Sequence, residues 1–168
     1  LDDHHPDGFY HKGNPNTWGI TPAPYGIPYR ILYSENIENL FFAGRNVSMT
    51  HAAMSSARVM ATCALLGEAV GTAANIAREF GLTPDGVYEE KLGLLQTRLT
   101  DNGCFLPYFR RDMTAARAAS LTADGEVKSI DNLRNGADRN NHTYGTEDEG
   151  AFIGAGTTIK YEFEPRLV

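Results

Sequence analysis

The stretch that most restricts the fold runs from Val59 to Ala77, nineteen residues with a single charge, Glu68. Such a run is either a helix packed among protein or a helix crossing a bilayer. Glu68 lies at its centre, where a carboxylate costs about 3 kcal/mol on insertion scales. Thr62, Thr72 and Asn75 add further polar groups. A helix inside a larger soluble protein is therefore the better reading. Ala64, Gly67, Gly71 and Ala74 recur at spacings of three and four, so they share one face. Small residues there let a neighbouring backbone approach closely. The pattern predicts a helix from about Ser56 to Phe80, with Gly81 as its C-terminal stop.

Just upstream, "ENLFFAG" is an apolar run bounded by Asn39 and Gly44. It is too short for a helix and suits a buried strand of a parallel sheet. A short strand, Ile31–Tyr33, is expected before it. Residues 1–30 are rich in Pro, Gly, Asn and His without periodicity, and read as an extended, turn-laden segment. Asp2, Asp3, His4, His5, Asp7 and His11 lie there, but no metal-ligand spacing connects them, so no metal site is expected. Downstream, Leu92, Leu95 and Leu99 share a face, which predicts an amphipathic helix from Val87 to Leu99. After Pro107 the composition shifts to Asn, Asp, Gly and Thr. "TTIKYEFEP" alternates strictly, with Ile159, Tyr161 and Phe163 pointing one way and Lys160, Glu162 and Glu164 the other. A boundary is therefore expected near 108–115, between an α/β piece and the start of a β domain.

Fifteen Lys and Arg against 21 Asp and Glu give a net charge of −6. That argues against nucleic acid as a main partner, since no basic run neutralises phosphates. Arg110-Arg111 reads as a solvated surface pair. Cys63 and Cys104 have no metal-ligand or redox spacing, and Cys63 falls on the apolar helix as a small buried hydrophobe. The chain opens on "LDDHHPDGFYH" and stops at "YEFEPRLV", which predicts a piece of a longer protein. The expected location is bacterial periplasmic or secreted rather than cytoplasmic.

The chemistry concentrates where the expected strand hands over to the helix. Gly44 lets the backbone approach a ligand. A helix N-terminus beyond it offers free N–H groups and partial positive charge. In open α/β sheets, ligands sit beyond the carboxyl ends of the strands.

The run "YGIPYR…NIENLFFAGRNVSMTHAAMSSARVMATCALLGEAVGTAANIA" resembles the C-terminal part of the FAD-dependent oxidoreductase family with a two-dinucleotide-binding-domain fold. The branch it resembles carries "IPYR", "NL-AGR", "TH", "RVMATC" and "G-A-GTAA" in this order. "LDDHHPDG" resembles the segment just upstream, and the likeness covers roughly residues 1–107. It implies FAD as cofactor. It implies that Gly44, Arg45 and Asn46 contact that cofactor, with Ser56, Arg58, Val59 and Met60 around the helix start near the flavin. His51 becomes a candidate acid/base or substrate contact, and Tyr29 and Arg30 candidates for the substrate cavity. The sequence departs from the family in one respect: no G-x-G-x-x-G occurs in these 168 residues. "GAGTTIK" lacks the third glycine and opens a strand. The first half of the FAD site is therefore expected outside this chain.

The tail, residues 112–168, resembles the opening of a discoidin-like, galactose-binding β-sandwich, with "IDNLRNGADR" at its first turn. Two functions stand at this point. One is the closing part of an FAD-dependent oxidoreductase that transfers a hydride from a small or carbohydrate-like substrate. The other is a carbohydrate-binding or structural module without redox activity.

Overall fold

The computed structural model describes residues 24–139 and 150–164. The Asp/His-rich opening lies outside them. By its contacts the chain divides into two units, Gly26–Cys104 and the residues from Phe105 onward. Among the described residues the architecture is mixed, with a helical part and two small two-stranded sheets.

In the first unit, Pro28 starts a 3-10 turn, Tyr29–Leu32, closed by the Ile31 amide on the Pro28 carbonyl at 3.3 Å. The strand expected at Ile31–Tyr33 is absent for that reason: proline presets φ for a turn entry. The strand expected at Asn39–Gly44 shrinks to one antiparallel bridge between Tyr33 and Phe41. A turn at Ile37–Leu40 precedes it, and Gly44, at φ +68°, diverts the chain after it. The parallel ladder expected for this run is not found among the described residues.

The long helix is two helices. Helix α1 spans His51–Ala57 and α2 spans Met60–Phe80. The Thr50 side chain accepts from the Ala53 amide at 3.3 Å and starts α1 earlier than the apolar pattern predicts. Val59 then adopts an extended conformation, φ −72° and ψ 151°, and breaks the run. The C-terminal stop is as expected: Gly81 is left-handed, φ 66°, with its amide on the Ala77 carbonyl.

Helix α3 spans Pro84–Asp101, longer at both ends than Val87–Leu99. Thr83 caps it by accepting from the Gly86 amide at 3.1 Å, and Pro84 occupies the first turn. Helices α2 and α3 pack together and form the core. Leu66, Ala73, Ile76 and Ala77 of α2 and Val87, Leu95 and Leu99 of α3 are all buried. The stripe Ala64, Gly67, Gly71 and Ala74 faces outward instead, and a Cβ at Gly67 or Gly71 would meet nothing within 4 Å. Helix α2 meets the length and composition of a membrane span, yet one flank of it is buried on α3.

The second unit contains a short helix α4, Thr114–Ala118, and strands β1 (Ser120–Ala123), β2 (Val127–Lys128), β3 (Phe152–Ile153) and β4 (Ile159–Glu162). Strand β1 pairs antiparallel with β4, and β2 with β3. Burial alternates along β4 as the sequence predicts, with Ile159 and Tyr161 half-buried between exposed Lys160 and Glu162. Phe163, expected inward, is exposed, because regular pairing ends at Glu162. Arg134 stitches this unit by donating to Asp131 and to the carbonyls of Arg117 and Ala119.

Candidate cofactor site

The Gly44–Asn46 segment is a 3-10 turn entered from extended Ala43. At φ +68° the position favours glycine. A Cβ there would meet nothing within 4 Å, so the turn opens onto free space on the side where a side chain would stand. Arg45 and Asn46 are exposed, while the following Val47 is buried and anchors the turn. The turn packs against α2.

Two hydrogen bonds frame this turn from outside. The Phe42 amide donates to the Leu32 carbonyl at 2.7 Å, and the Ser48 amide donates to the Ile31 carbonyl at 3.1 Å. Residues on either side of Gly44–Asn46 are thus held by two adjacent carbonyls of the Tyr29–Leu32 turn.

The second element is the start of α2. The Arg58 amide closes α1 on the Met54 carbonyl at 3.1 Å, and the Cys63 amide makes the first bond of α2 to the Val59 carbonyl at 2.9 Å. The amides of Met60, Ala61 and Thr62 precede that bond, and no side chain caps the helix. Val59 and Met60 are 53% and 91% exposed, which is unusual for apolar residues opening a 21-residue helix. Of the residues expected around the helix start, Arg58, Val59 and Met60 stand there. Ser56 lies one turn earlier, in α1, where its hydroxyl donates to the Ala53 carbonyl at 3.5 Å. His51 is the exposed first residue of α1, and its carbonyl accepts from the Ser55 hydroxyl at 3.2 Å.

Tyr29 and Arg30 are placed differently. Tyr29 is 8% exposed, and its hydroxyl donates to the Pro84 carbonyl at 2.9 Å. Its ring stacks on Tyr88 with centroids 6.2 Å apart and tilts against Tyr33 at 5.5 Å. Burial pushes the Tyr29 phenol well above its ordinary range, with Tyr33 and Asp85 adding to the effect. Arg30 is exposed and lies 5.6 Å from the Tyr88 ring centroid. Tyr33 donates to the Asp85 carboxylate at 2.8 Å. Burial first, and that hydrogen bond second, push its phenol up to about 12. Sequence reasoning missed Tyr33, Asp85 and Tyr88 altogether, since their meeting joins segments more than fifty residues apart.

Among the described residues no group of three or more His, Cys, Asp and Glu is arranged to hold a metal. Two features remain that suit a phosphate-bearing, planar ligand: an open glycine turn with Arg45, and an uncapped helix start with Arg58. A family profile described as "FAD dependent oxidoreductase" matches residues 1–99, more than half of the chain. The chain belongs to the FAD-dependent oxidoreductase family. Its cofactor is FAD. The open Gly44 turn and the cationic α2 start fit that cofactor's anionic and polar parts. No curated protein and no solved structure matches the chain.

Proposed function

We propose that this chain supplies the closing part of the FAD site in an oxidoreductase that takes a hydride from a small or carbohydrate-like substrate. The observation that carries the reading is the left-handed, open Gly44 turn packed beside α2, in a chain of the FAD-dependent family. Gly44, Arg45 and Asn46 bind the cofactor along its phosphate and sugar-alcohol region. Arg58, Val59 and Met60 approach its ring end, with Ser56 behind them. Bound FAD supplies the two-electron acceptor. Arg58 and the α2 N-terminus put positive charge beside it and so favour electron uptake. His51 is the candidate proton carrier. Arg30 is the candidate substrate contact, with Tyr29 holding it in place.

The chain is the C-terminal portion of that FAD domain, and the uncovered face Ala64, Gly67, Gly71 and Ala74 supports this reading. The second unit opens a galactose-binding-like β-sandwich over 112–168, a reading supported by the β1–β4 pairing and its alternating burial.

A redox titration with parallel measurement of FAD occupancy tests the division of labour. A helix end or guanidinium is worth about 0.3–2 kcal/mol, which for a two-electron couple is roughly 6–40 mV. Arg58→Ala lowers the midpoint potential by that amount at full occupancy. Arg45→Ala weakens FAD retention and leaves the potential nearly unchanged. Equal potentials for wild type and Arg58→Ala, both fully loaded, would remove Arg58 from the site.

A further inference from the structure

The Tyr29–Leu32 turn touches two things at once. On one side its Ile31 and Leu32 carbonyls hold the amides of Ser48 and Phe42, each one residue beyond the caps of the Gly44–Asn46 turn. On the other side its aromatic edge is fastened to the start of α3. Tyr29 bonds the Pro84 carbonyl, Tyr33 bonds the Asp85 carboxylate, and Tyr29 stacks nearly parallel on Tyr88, with 4° between the rings. Every link in this chain is a hydrogen bond or ring contact between named groups. Two carbonyls on neighbouring residues fix both position and tilt of what they hold, whereas one would leave a hinge. A left-handed turn offers few contacts of its own to define it, so its geometry depends on how its flanks are held.

We propose that Tyr29, Tyr33, Asp85 and Tyr88 form a clamp of positioning residues that sets the Gly44–Asn46 turn for FAD and tunes cofactor affinity without touching the cofactor. The inference rests on the reading that this turn contacts FAD. It gives the "IPYR" segment a second role beside the substrate contact at Arg30: its tyrosine docks on α3, and its backbone carries the cofactor loop. The specificity of the clamp lies in the tyrosine hydroxyls. Phenylalanine would keep the stacking on Tyr88 and lose the hydrogen bond to the start of α3.

Titration of the full-length apoprotein with FAD, in parallel with urea unfolding of the same preparation, tests this. One hydrogen bond to an exposed carboxylate bounds the effect, so Tyr33→Phe and Asp85→Ala should each weaken FAD by roughly two- to tenfold. Because both remove the same bond, the double variant should lose no more than either single one. Gly103→Ala strains the far end of α3, at φ +92°, and controls for general loss of stability. It should lower the unfolding midpoint and leave FAD affinity unchanged. Unchanged affinity in Tyr33→Phe beside a weakened Arg45→Ala overturns the clamp and spares the cofactor reading. Unchanged affinity in both overturns the two together. A Gly103→Ala loss equal to that of Tyr33→Phe, or additive losses in the double variant, also overturns the clamp.

Discussion

Gly44→Ala separates backbone strain from contact with the cofactor. Gly44 sits at φ +68° and Gly103 at φ +92°, and an added Cβ at either would meet nothing within 4 Å. Alanine at each position therefore carries the same kind of cost: about 1–2 kcal/mol for a left-handed L-residue, with no protein atom to push aside. That strain is present with and without FAD. It lowers the unfolding free energy and cancels from the dissociation constant while the protein stays folded. What does not cancel is volume. If FAD approaches the Gly44 backbone, the new methyl occupies the space the cofactor needs. Overpacking of this kind costs about 1–3 kcal/mol, or roughly a 5- to 150-fold loss of affinity. Gly103→Ala should change FAD affinity by no more than about twofold. Urea unfolding of the apoprotein reads the strain, and fluorescence titration with FAD reads the contact. A Gly44→Ala variant that shows the strain but binds FAD as wild type does would take Gly44 out of the site. Equal affinity losses in both variants would refute the separation itself.

Ile76 is wholly buried between α2 and α3, so Ile76→Ala should cost about 2–5 kcal/mol in urea unfolding; a loss below 1 kcal/mol would contradict that core. Burial, and then the neighbouring Glu68 carboxylate, push the Cys104 thiol from 9.0 up to about 11. Iodoacetamide at pH 8 should therefore label Cys104 far more slowly in the folded protein than in urea. The folded state keeps this proton longer than the unfolded chain, so its stabilisation is complete below pH 9 and is lost as pH rises through 11. Tyr33 adds a loss in the same direction between pH 10 and about 12. Stability that rises across pH 9–11 would contradict both placements.

Local chemistry made much of this protein readable from residues alone. The apolar run after Val59, the glycine at 81 and the leucine spacing after Val87 each act within a few turns of chain, so α2, its stop and α3 follow from periodicity and capping. Thr50 and Thr83 carried capping signals of the same local kind, and overlooking them misplaced the starts of α1 and α3. The ordered motifs from "IPYR" to "GTAA" pointed by resemblance to the family and to FAD, because such motifs are carried in the linear order of residues.

Packing decided the rest. Whether Tyr29 faces a cavity or a carbonyl depends on Pro84, which lies 55 residues away in the chain, and no local pattern encodes that meeting. Val59 could have continued a helix; its extended backbone splits the run and creates a second helix start beside Arg58. The small-residue stripe and the Leu66–Ile76 flank both lie on α2, and only the position of α3 determines which of them is covered here. Side-chain spacing tells which residues share a face of a helix. What that face meets is settled by segments distant in sequence, through contacts that exist only once the chain has folded.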